Sequence, residues 1–244
     1  MTNIGIVIPT YNEVENITLL FDSIKRVMAK LDKSVKFIIV VVDDKSPDKT
    51  SNIAKDYAKK NSKPGFIIKV IDRKLREGYG KACVQGILYL LGENVDWVIQ
   101  MDADLSHNPI YLPAFIEASK NSDFIVGSRY IKGGDTPDWQ IYRKIISRYG
   151  NIYARLILGS GVSDYTGGYN MYSSSLIKKI NLNYINSTGY GFLIELKFEA
   201  LRNTKSVSEI PIIFSDRKHG KSKLPKSTIL KNFILVPRIR INKL

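Results

Sequence analysis

Cysteine is almost missing from this chain: Cys83 is the single one in 244 residues. That excludes an intrachain disulfide and any zinc cluster built from cysteines, and it fits a reducing compartment. Histidine is nearly as scarce, with only His107 and His219. Long apolar runs are absent too; none reaches the ~18–20 residues of a membrane span. No secretory leader is expected, because Ile4-Gly5-Ile6-Val7-Ile8 already reads as a core strand. The sequence therefore predicts a soluble or peripheral protein. No Gly-x-Gly-x-x-Gly follows the first strand and no Walker phosphate loop occurs, which disfavours dinucleotide-binding oxidoreductases and P-loop enzymes. Internal repeats and low-complexity stretches are absent as well. Acidic residues are in deficit: 23 Asp and Glu against 37 Lys and Arg leave a net charge of +14. That excess predicts anionic partners, whether nucleic acid, an anionic membrane surface or phosphorylated substrates.

What is present is an alternation of apolar runs and amphipathic stretches. At 44% hydrophobic, the chain can bury a sizeable core as one large domain or two small ones. Strands are expected at 4–8, 37–42, 66–71, 95–99 and 123–126. Helices are expected at about 14–31 and 50–60, up to Leu91, and at 110–120. The uninterrupted apolar run 37–42 is that of a strand buried on both faces. Ile17, Leu20, Phe21, Ile24, Val27 and Met28 share one face of the first helix, and Ser46 or Asp48 caps the second. Such short-spaced alternation is the pattern of an α/β fold, a mostly parallel sheet with helices on both faces. Only 132–138 and the segment after Asp216 read as loose.

The most informative stretch is Val98-Ile99-Gln100-Met101-Asp102-Ala103-Asp104-Leu105-Ser106-His107-Asn108-Pro109. A buried strand stops where two carboxylates appear one residue apart. Asn108 then reads as a helix cap and Pro109 as a first-turn residue. In an open α/β sheet, ligands bind beyond the carboxyl ends of the strands. Carboxylate oxygens there suit Mg²⁺ or Mn²⁺, commonly held by one or two carboxylates plus substrate phosphates. A solvated turn with a capping Asp is the competing reading. Further polar clusters at 9–13, 43–44, 72–73 and 128–129 also follow strands, so all five are expected to line one cleft.

From Trp139 the character changes. Ile141, Ile145, Tyr149, Ile152, Tyr153, Leu156 and Ile157 form one helical stripe, with Arg143, Lys144, Arg148 and Arg155 elsewhere. A basic amphipathic helix can lie on a membrane surface; the other reading is a core-packing helix with a solvated basic face. The tail 227–244 repeats the theme, and Pro237 is expected to break it.

Six elements stand in order: Pro9-Thr10-Tyr11-Asn12-Glu13, Val42-Asp43-Asp44-x-Ser46-Pro47-Asp48, Gln100-Met101-Asp102-Ala103-Asp104-Leu105-Ser106-His107, Gly127-Ser128-Arg129-Tyr130, Arg143-Lys144-Ile145-Ile146-Ser147-Arg148 and Asp216-Arg217-x-x-Gly220-x-Ser222-Lys223-Leu224. Together they closely resemble the dolichyl-phosphate mannose synthases, inverting glycosyltransferases of the GT-A nucleotide-diphospho-sugar transferase fold, from about residue 4 to 224. The first and third elements are shared with many nucleotide-sugar transferases; the last three point more narrowly to polyprenyl-phosphate acceptors.

The resemblance implies mannose transfer from GDP-mannose to dolichyl (polyprenyl) phosphate with a Mg²⁺ or Mn²⁺ cofactor. It places Pro9, Tyr11, Glu13, Val42 and Asp44 around the nucleoside, and Asp102, Ala103 and Asp104 at the metal and diphosphate. Ser106 stands where some relatives carry a Gln metal ligand, and its own contribution is left open. Arg217 and Lys223 would hold the donor diphosphate, while Arg129, Arg143 and Ser147 would grip the acceptor phosphate. Asp104, Arg129, Arg143 and Ser147 are thus the catalytic candidates. Lys45, Tyr149 and Thr166-Gly167-Gly168-Tyr169 depart from the usual pattern.

Chemistry supports this set. The departing diphosphate gains negative charge that a cation and fixed basic side chains stabilise. A phosphate monoester with a second pKa of about 6 is largely dianionic and needs no general base. The remaining task is to hold two anions in line. His107 is expected to pack at a helix start, His219 to sit on a loop, Lys221 to be solvated and Cys83 to fill a helix face. Asp164 and Glu195 are left open between sugar contacts and structural partners.

The expected organisation is a catalytic domain over 1–225, including the basic helix at about 139–158, and a basic amphipathic tail over 226–244. The expected place is the cytosolic face of a membrane, the endoplasmic reticulum or a prokaryotic plasma membrane, with a small membrane-anchoring subunit as a further candidate partner and no nucleic acid. The alternatives are the same transfer from UDP-glucose or another nucleotide sugar, and a non-enzymatic module binding polyanions or membranes.

Overall fold

The computed structural model describes residues 1–216, apart from Asn186 and Thr188, and 226–242. Among them the strands are β1 (Thr2–Thr10), β2 (Val35–Asp43), β3 (Phe66–Asp72), β4 (Trp97–Gln100), β5 (Phe124–Ser128), β6 (Asn170–Ser173) and β7 (Val207–Pro211). They form one seven-stranded sheet in the order β3-β2-β1-β4-β6-β5-β7. Parallel pairing joins β1 to β2 and β4, β2 to β3, and β5 to β7. β6 runs antiparallel to both β4 and β5. Because it reverses between them, β4 and β5 point the same way, and the carboxyl ends of β1 to β5 share one edge.

The helices are α1 (Ile17–Met28), α2 (Thr50–Asn61), α3 (Tyr79–Gly92), α4 (Leu112–Ala118), α5 (Ile141–Leu158), α6 (Ser174–Ile177), α7 (Tyr190–Asn203) and α8 (Lys226–Asn242). Alternation along β1 feeds two cores. Ile4, Ile6 and Ile8 pack with the α1 face of Ile17, Leu20, Phe21 and Ile24. Val7 instead packs with Val40, Val42 and the α3 and α7 side. α3 lies directly on the sheet at Gly86, where a Cβ would stand 2.3 Å from Val7 Cγ2. That close approach fixes where the amino end of α3 meets the carboxyl edge.

Several local expectations shift. The first helix begins three residues later than its apolar pattern, because Glu13 O accepts the amides of Asn16 and Ile17 in a preceding turn. Neither Ser46 nor Asp48 stands at the cap position of α2, which is Lys49; Asp48, one residue earlier, accepts the Thr50 amide through Oδ1 at 3.0 Å. The segment 132–138 is not loose. Asp135 bridges Ile213, and the Gly134, Asp135 and Trp139 amides donate to Ile131 O, Ile212 O and Thr136 O. The segment 217–225 lies outside the described residues.

Pro237 does not break the tail helix; α8 runs through it. Proline deprives the Phe233 carbonyl of its usual helical donor. The Tyr153 hydroxyl of α5 donates to that carbonyl at 3.0 Å, and the two rings stack with centroids 4.3 Å apart. The missing bond is replaced from outside. Val236 and Ile239 of α8 are buried in the core shared with α5 and α7.

α5 turns little of its apolar stripe inward. Its buried residues are Asn151, Ala154 and Leu158, while Ile141, Ile145, Tyr149, Ile152 and Leu156 face solvent. Tyr153 and Ile157 pack partly against the core. The core-packing expectation fails for most of the stripe, since the inward face is built from Asn151, Ala154 and Leu158, with only Tyr153 and Ile157 of the stripe against the core.

Candidate active site

β4 delivers the two carboxylates to the edge. Beyond Gln100 the chain turns through Leu105, whose φ of 65° costs a residue with a Cβ about 1 kcal/mol or more. Asp104 holds that turn: its Oδ1 accepts from the Ser106 amide at 3.1 Å and the Ser106 hydroxyl at 2.5 Å. Ser106 is thus a buried support of Asp104. Asp102 keeps 29% of its side chain exposed and accepts from the Tyr79 hydroxyl at 2.9 Å. His107 is buried, and its Nδ1 accepts the Asp102 amide at 2.9 Å. Burial pushes its pKa down despite the carboxylates of Asp102 and Asp104, so the imidazole acts as a neutral brace. Burial, then the Asp102 charge, pushes the Tyr79 phenol up, so it stays a donor. The donor set fits a hard divalent cation. It offers two carboxylates on one turn, and no group of three or more His, Cys, Asp or Glu forms a cage among the described residues. Mg²⁺ and Mn²⁺ are held this way when substrate phosphates complete the sphere.

The rim beside β1 and β2 is built from buried carboxylates. Asp43 accepts from the Thr10 hydroxyl at 2.9 Å and the Ser46 amide at 2.8 Å, tying the β1 and β2 ends together. Asp44 takes Arg73 Nη1 at 2.7 Å and the Glu77 and Gly78 amides at 3.0 and 2.7 Å. It therefore shapes the loop that leads into α3. Arg76 of that loop lies over the Tyr11 ring at 3.7 Å. Glu13 accepts from Asn16 Nδ2 at 2.8 Å. Pro9 pairs in register with Val42, and both are buried, as is Ala103. The side chains of Pro9, Val42 and Ala103 thus belong to the wall, and their backbones form the edge.

Past β5, Arg129 is buried and paired with Asp164: Nε to Oδ2 at 2.7 Å and Nη2 to Oδ1 at 2.8 Å. Nη2 also donates to Thr166 Oγ1 at 2.8 Å. Its guanidinium lies 5.3 Å from the Trp139 ring and 5.5 Å from that of Phe214. Arg143 stacks on the same Trp139 at 3.9 Å and pairs with Asp216 at 2.9 Å. Ser147 accepts from the Tyr130 hydroxyl at 2.6 Å. Arg129, Arg143 and Ser147 are therefore brought together around Trp139 and Tyr130. Arg129 comes as the buried half of an ion pair, because a guanidinium sunk among aromatic rings needs a carboxylate. Arg217 and Lys223 lie outside the described residues, as do His219 and Lys221.

Asp164 is the anchor of this half. Burial alone would raise its pKa, but the charge and hydrogen bonds of Arg129, and the charge of Lys197, hold it well below the usual carboxylate range. Lys197 of α7 is wholly buried and donates to the Asp164 main-chain oxygen. Burial lowers its pKa to about 8, with Asp164 pulling the other way. Glu195 is also structural, accepting from the Ser187 amide and hydroxyl at 3.1 and 2.5 Å. Cys83 is buried, as expected. Tyr79, Trp139 and Lys197 escape the sequence reading. Only Lys197 carried a visible signal, a lysine with Leu196 and Phe198 on either side of it.

The halves meet at residues 164–168. Asp164 accepts the Gly167 amide at 2.8 Å, and a Cβ on Gly168 would stand 3.1 Å from His107 Cε1 and 3.7 Å from Asp102 Oδ1. A nearly parallel sheet with an Asp-Ala-Asp turn at its carboxyl edge and two arginines around Trp139 defines a class, the glycosyltransferases of GT-A fold. The chain belongs to glycosyl transferase family 2, whose sequence profile matches residues 5–181.

It is 34% identical to the undecaprenyl-phosphate mannosyltransferase of Micrococcus luteus over 232 residues, covering 95% of this chain and 91% of that one. It is 36% identical to the polyprenol monophosphomannose synthase of Mycolicibacterium smegmatis over 225 residues, covering 92% and 82%. Among solved structures, the glucosyl-3-phosphoglycerate synthase of Mycobacterium tuberculosis with Mn²⁺, UDP and glucosyl-3-phosphoglycerate superposes with a TM-score of 0.68, at 18% identity, covering 99% of this chain and 80% of that one. The same enzyme has also been solved with Mg²⁺ and UDP. At that identity the likeness speaks to the fold.

Proposed function

We propose that this protein transfers mannose from GDP-mannose to a polyprenyl (dolichyl) phosphate with inversion, working from the cytosolic face of a membrane. Its two relatives named for undecaprenyl-phosphate and polyprenol mannosylation support the sugar and the acceptor class. The observation that carries the reading is α5. One helix turns Arg143 and Ser147 toward Trp139 and Tyr130, and leaves Ile145, Tyr149, Ile152 and Leu156 exposed. A phosphate grip continuous with an apolar surface suits an anionic lipid acceptor, and Lys144 and Arg148 on that helix suit anionic headgroups.

In this reading residues 1–225 are the catalytic domain and 226–244 a basic tail. Asp102 and Asp104 would hold Mg²⁺ or Mn²⁺, which supplies charge to the departing diphosphate. Ser106 and His107 keep those carboxylates and their turn in place. The rim from Pro9 to Glu13, with Asp44 behind the Arg73–Gly78 loop, receives the nucleoside, and Arg217 and Lys223 hold the diphosphate. Arg129, fixed by Asp164, and Arg143 with Ser147 orient the acceptor phosphate, whose own oxygen attacks the anomeric carbon. A single displacement turns the α-linked donor into a β-mannosyl phosphate.

The test is a radiolabelled-sugar assay of the full chain with one polyprenyl phosphate in vesicles, comparing GDP-mannose with UDP-glucose, with and without Mn²⁺ or Mg²⁺. The expected result is a metal-dependent mannolipid. Preferential transfer from UDP-glucose overturns the donor, and binding of polyanions with no glycolipid overturns the enzymatic reading.

A further inference from the structure

Tyr79 is the first residue of α3, set at the carboxyl edge by the close contact of that helix with β1. Its hydroxyl lies between Gln100 Nε2, at 3.0 Å, and Asp102 Oδ1, at 2.9 Å. An amide nitrogen can only donate, so Gln100 uses the phenol oxygen as an acceptor. The single phenolic proton is then left for Asp102, and the relay runs one way, from Gln100 through Tyr79 to the carboxylate. Gln100 is fully buried, and its Nε2 also lies 3.5 Å from Cys83 Sγ. The Tyr79 ring stands edge-on to Phe192, centroids 6.2 Å apart. Gly168 leaves the space above open, since a Cβ there would come within 3.2 Å of the hydroxyl.

We propose that Tyr79 is a positioning residue for the divalent cation: its hydroxyl fixes the rotation of the Asp102 carboxylate and so presets the metal site before nucleotide arrives. This rests on the reading that Asp102 holds the cation. Groups that hydrogen-bond a metal-ligating residue typically govern 10–100-fold in metal affinity, which is the effect expected here. Phenylalanine at 79 keeps the ring and its contact with Phe192 and removes the hydroxyl, both the donor to Asp102 and the acceptor that Gln100 uses.

The experiment is a Mn²⁺ titration of the full chain with GDP present and no acceptor, read by the electron paramagnetic resonance of free Mn²⁺. Tyr79→Phe is expected to weaken Mn²⁺ binding by about 10–100-fold. In transfer assays its metal requirement should rise by the same factor, while saturating Mn²⁺ restores kcat. Gln100→Leu, which frees the phenol to turn, is expected to weaken binding in the same direction by less. Unchanged Mn²⁺ affinity in Tyr79→Phe overturns the proposal. So does a loss of kcat that no Mn²⁺ concentration restores, because that marks a substrate contact. A wild-type chain that binds no Mn²⁺ overturns the cation reading itself, a distinct outcome.

Discussion

Replacing Asp164 with Asn tests the anchor of Arg129 directly. The carboxylate takes Arg129 through Nε and Nη2 at 2.7 and 2.8 Å and the Gly167 amide at 2.8 Å, all away from solvent. An amide of the same shape keeps one acceptor but leaves the guanidinium charge buried and unmatched. Breaking a buried pair from one side costs about 3–5 kcal/mol. For a chain of this length each kcal/mol moves Tm by about 2–4 °C, so the expected fall is roughly 6–20 °C at pH 7. The acid response has a definite sign. The Asp164 pKa is depressed in the fold, so its stabilisation is full above the ordinary carboxylate value of about 3.9 and is lost progressively as pH falls from there through its much lower native value. Thermal melts followed by far-UV circular dichroism should therefore show a constant gap between wild type and Asp164→Asn from pH 8 to 5. A gap smaller than about 3 °C at pH 7, or one that closes by pH 5, refutes the buried-pair account.

Lys197→Met should show a response of the same sign in an alkaline window. The native lysine pKa is lowered to about 8 against about 10.4 when unfolded, so the unfolded chain binds the extra proton between those values. Wild-type stability relative to Lys197→Met should rise as pH increases from about 8 to 10, and a flat difference in denaturant midpoints would count against it. On α5, Ile145→Asp with Leu156→Asp removes two exposed apolar contacts each worth about 1.5–3 kcal/mol when buried. Flotation with anionic vesicles should show binding weakened at least tenfold with the melting curve unchanged; equal recovery would remove α5 from the membrane.

The sheet was legible because its strands announce themselves. Uninterrupted Val and Ile runs fix β1 and β2, and each ends in a polar cluster where the parallel pairing stops. β6 was not visible, since Asn170-Met171-Tyr172-Ser173 is short and mixed and is recruited by the open edges of β4 and β5. The two carboxylates, the cap at Asn108 and the packed His107 follow from local rules; Asn108 Oδ1 does accept the Ile110 amide at 3.0 Å. What sequence spacing cannot carry is long-range pairing. Arg129 and Asp164 are 35 positions apart and Lys197 a further 33 from Asp164. Whether an arginine is open or matched depends on such partners. Pro237 misled for the same reason, its missing donor being supplied from Tyr153, 80 positions before Phe233.

One reversed strand has a consequence for the proposed donor and acceptor sites. Because β6 starts where its neighbours finish, the segment entering it stands as a partition, with Gly168 against the Asp102 compartment and Asp164 bolted to Arg129. The same short segment thus borders Asp102 on one side and holds Arg129 on the other. Nucleotide-sugar and lipid-phosphate affinities should therefore drift together in variants at 166–168, where substitutions on either outer wall would separate them.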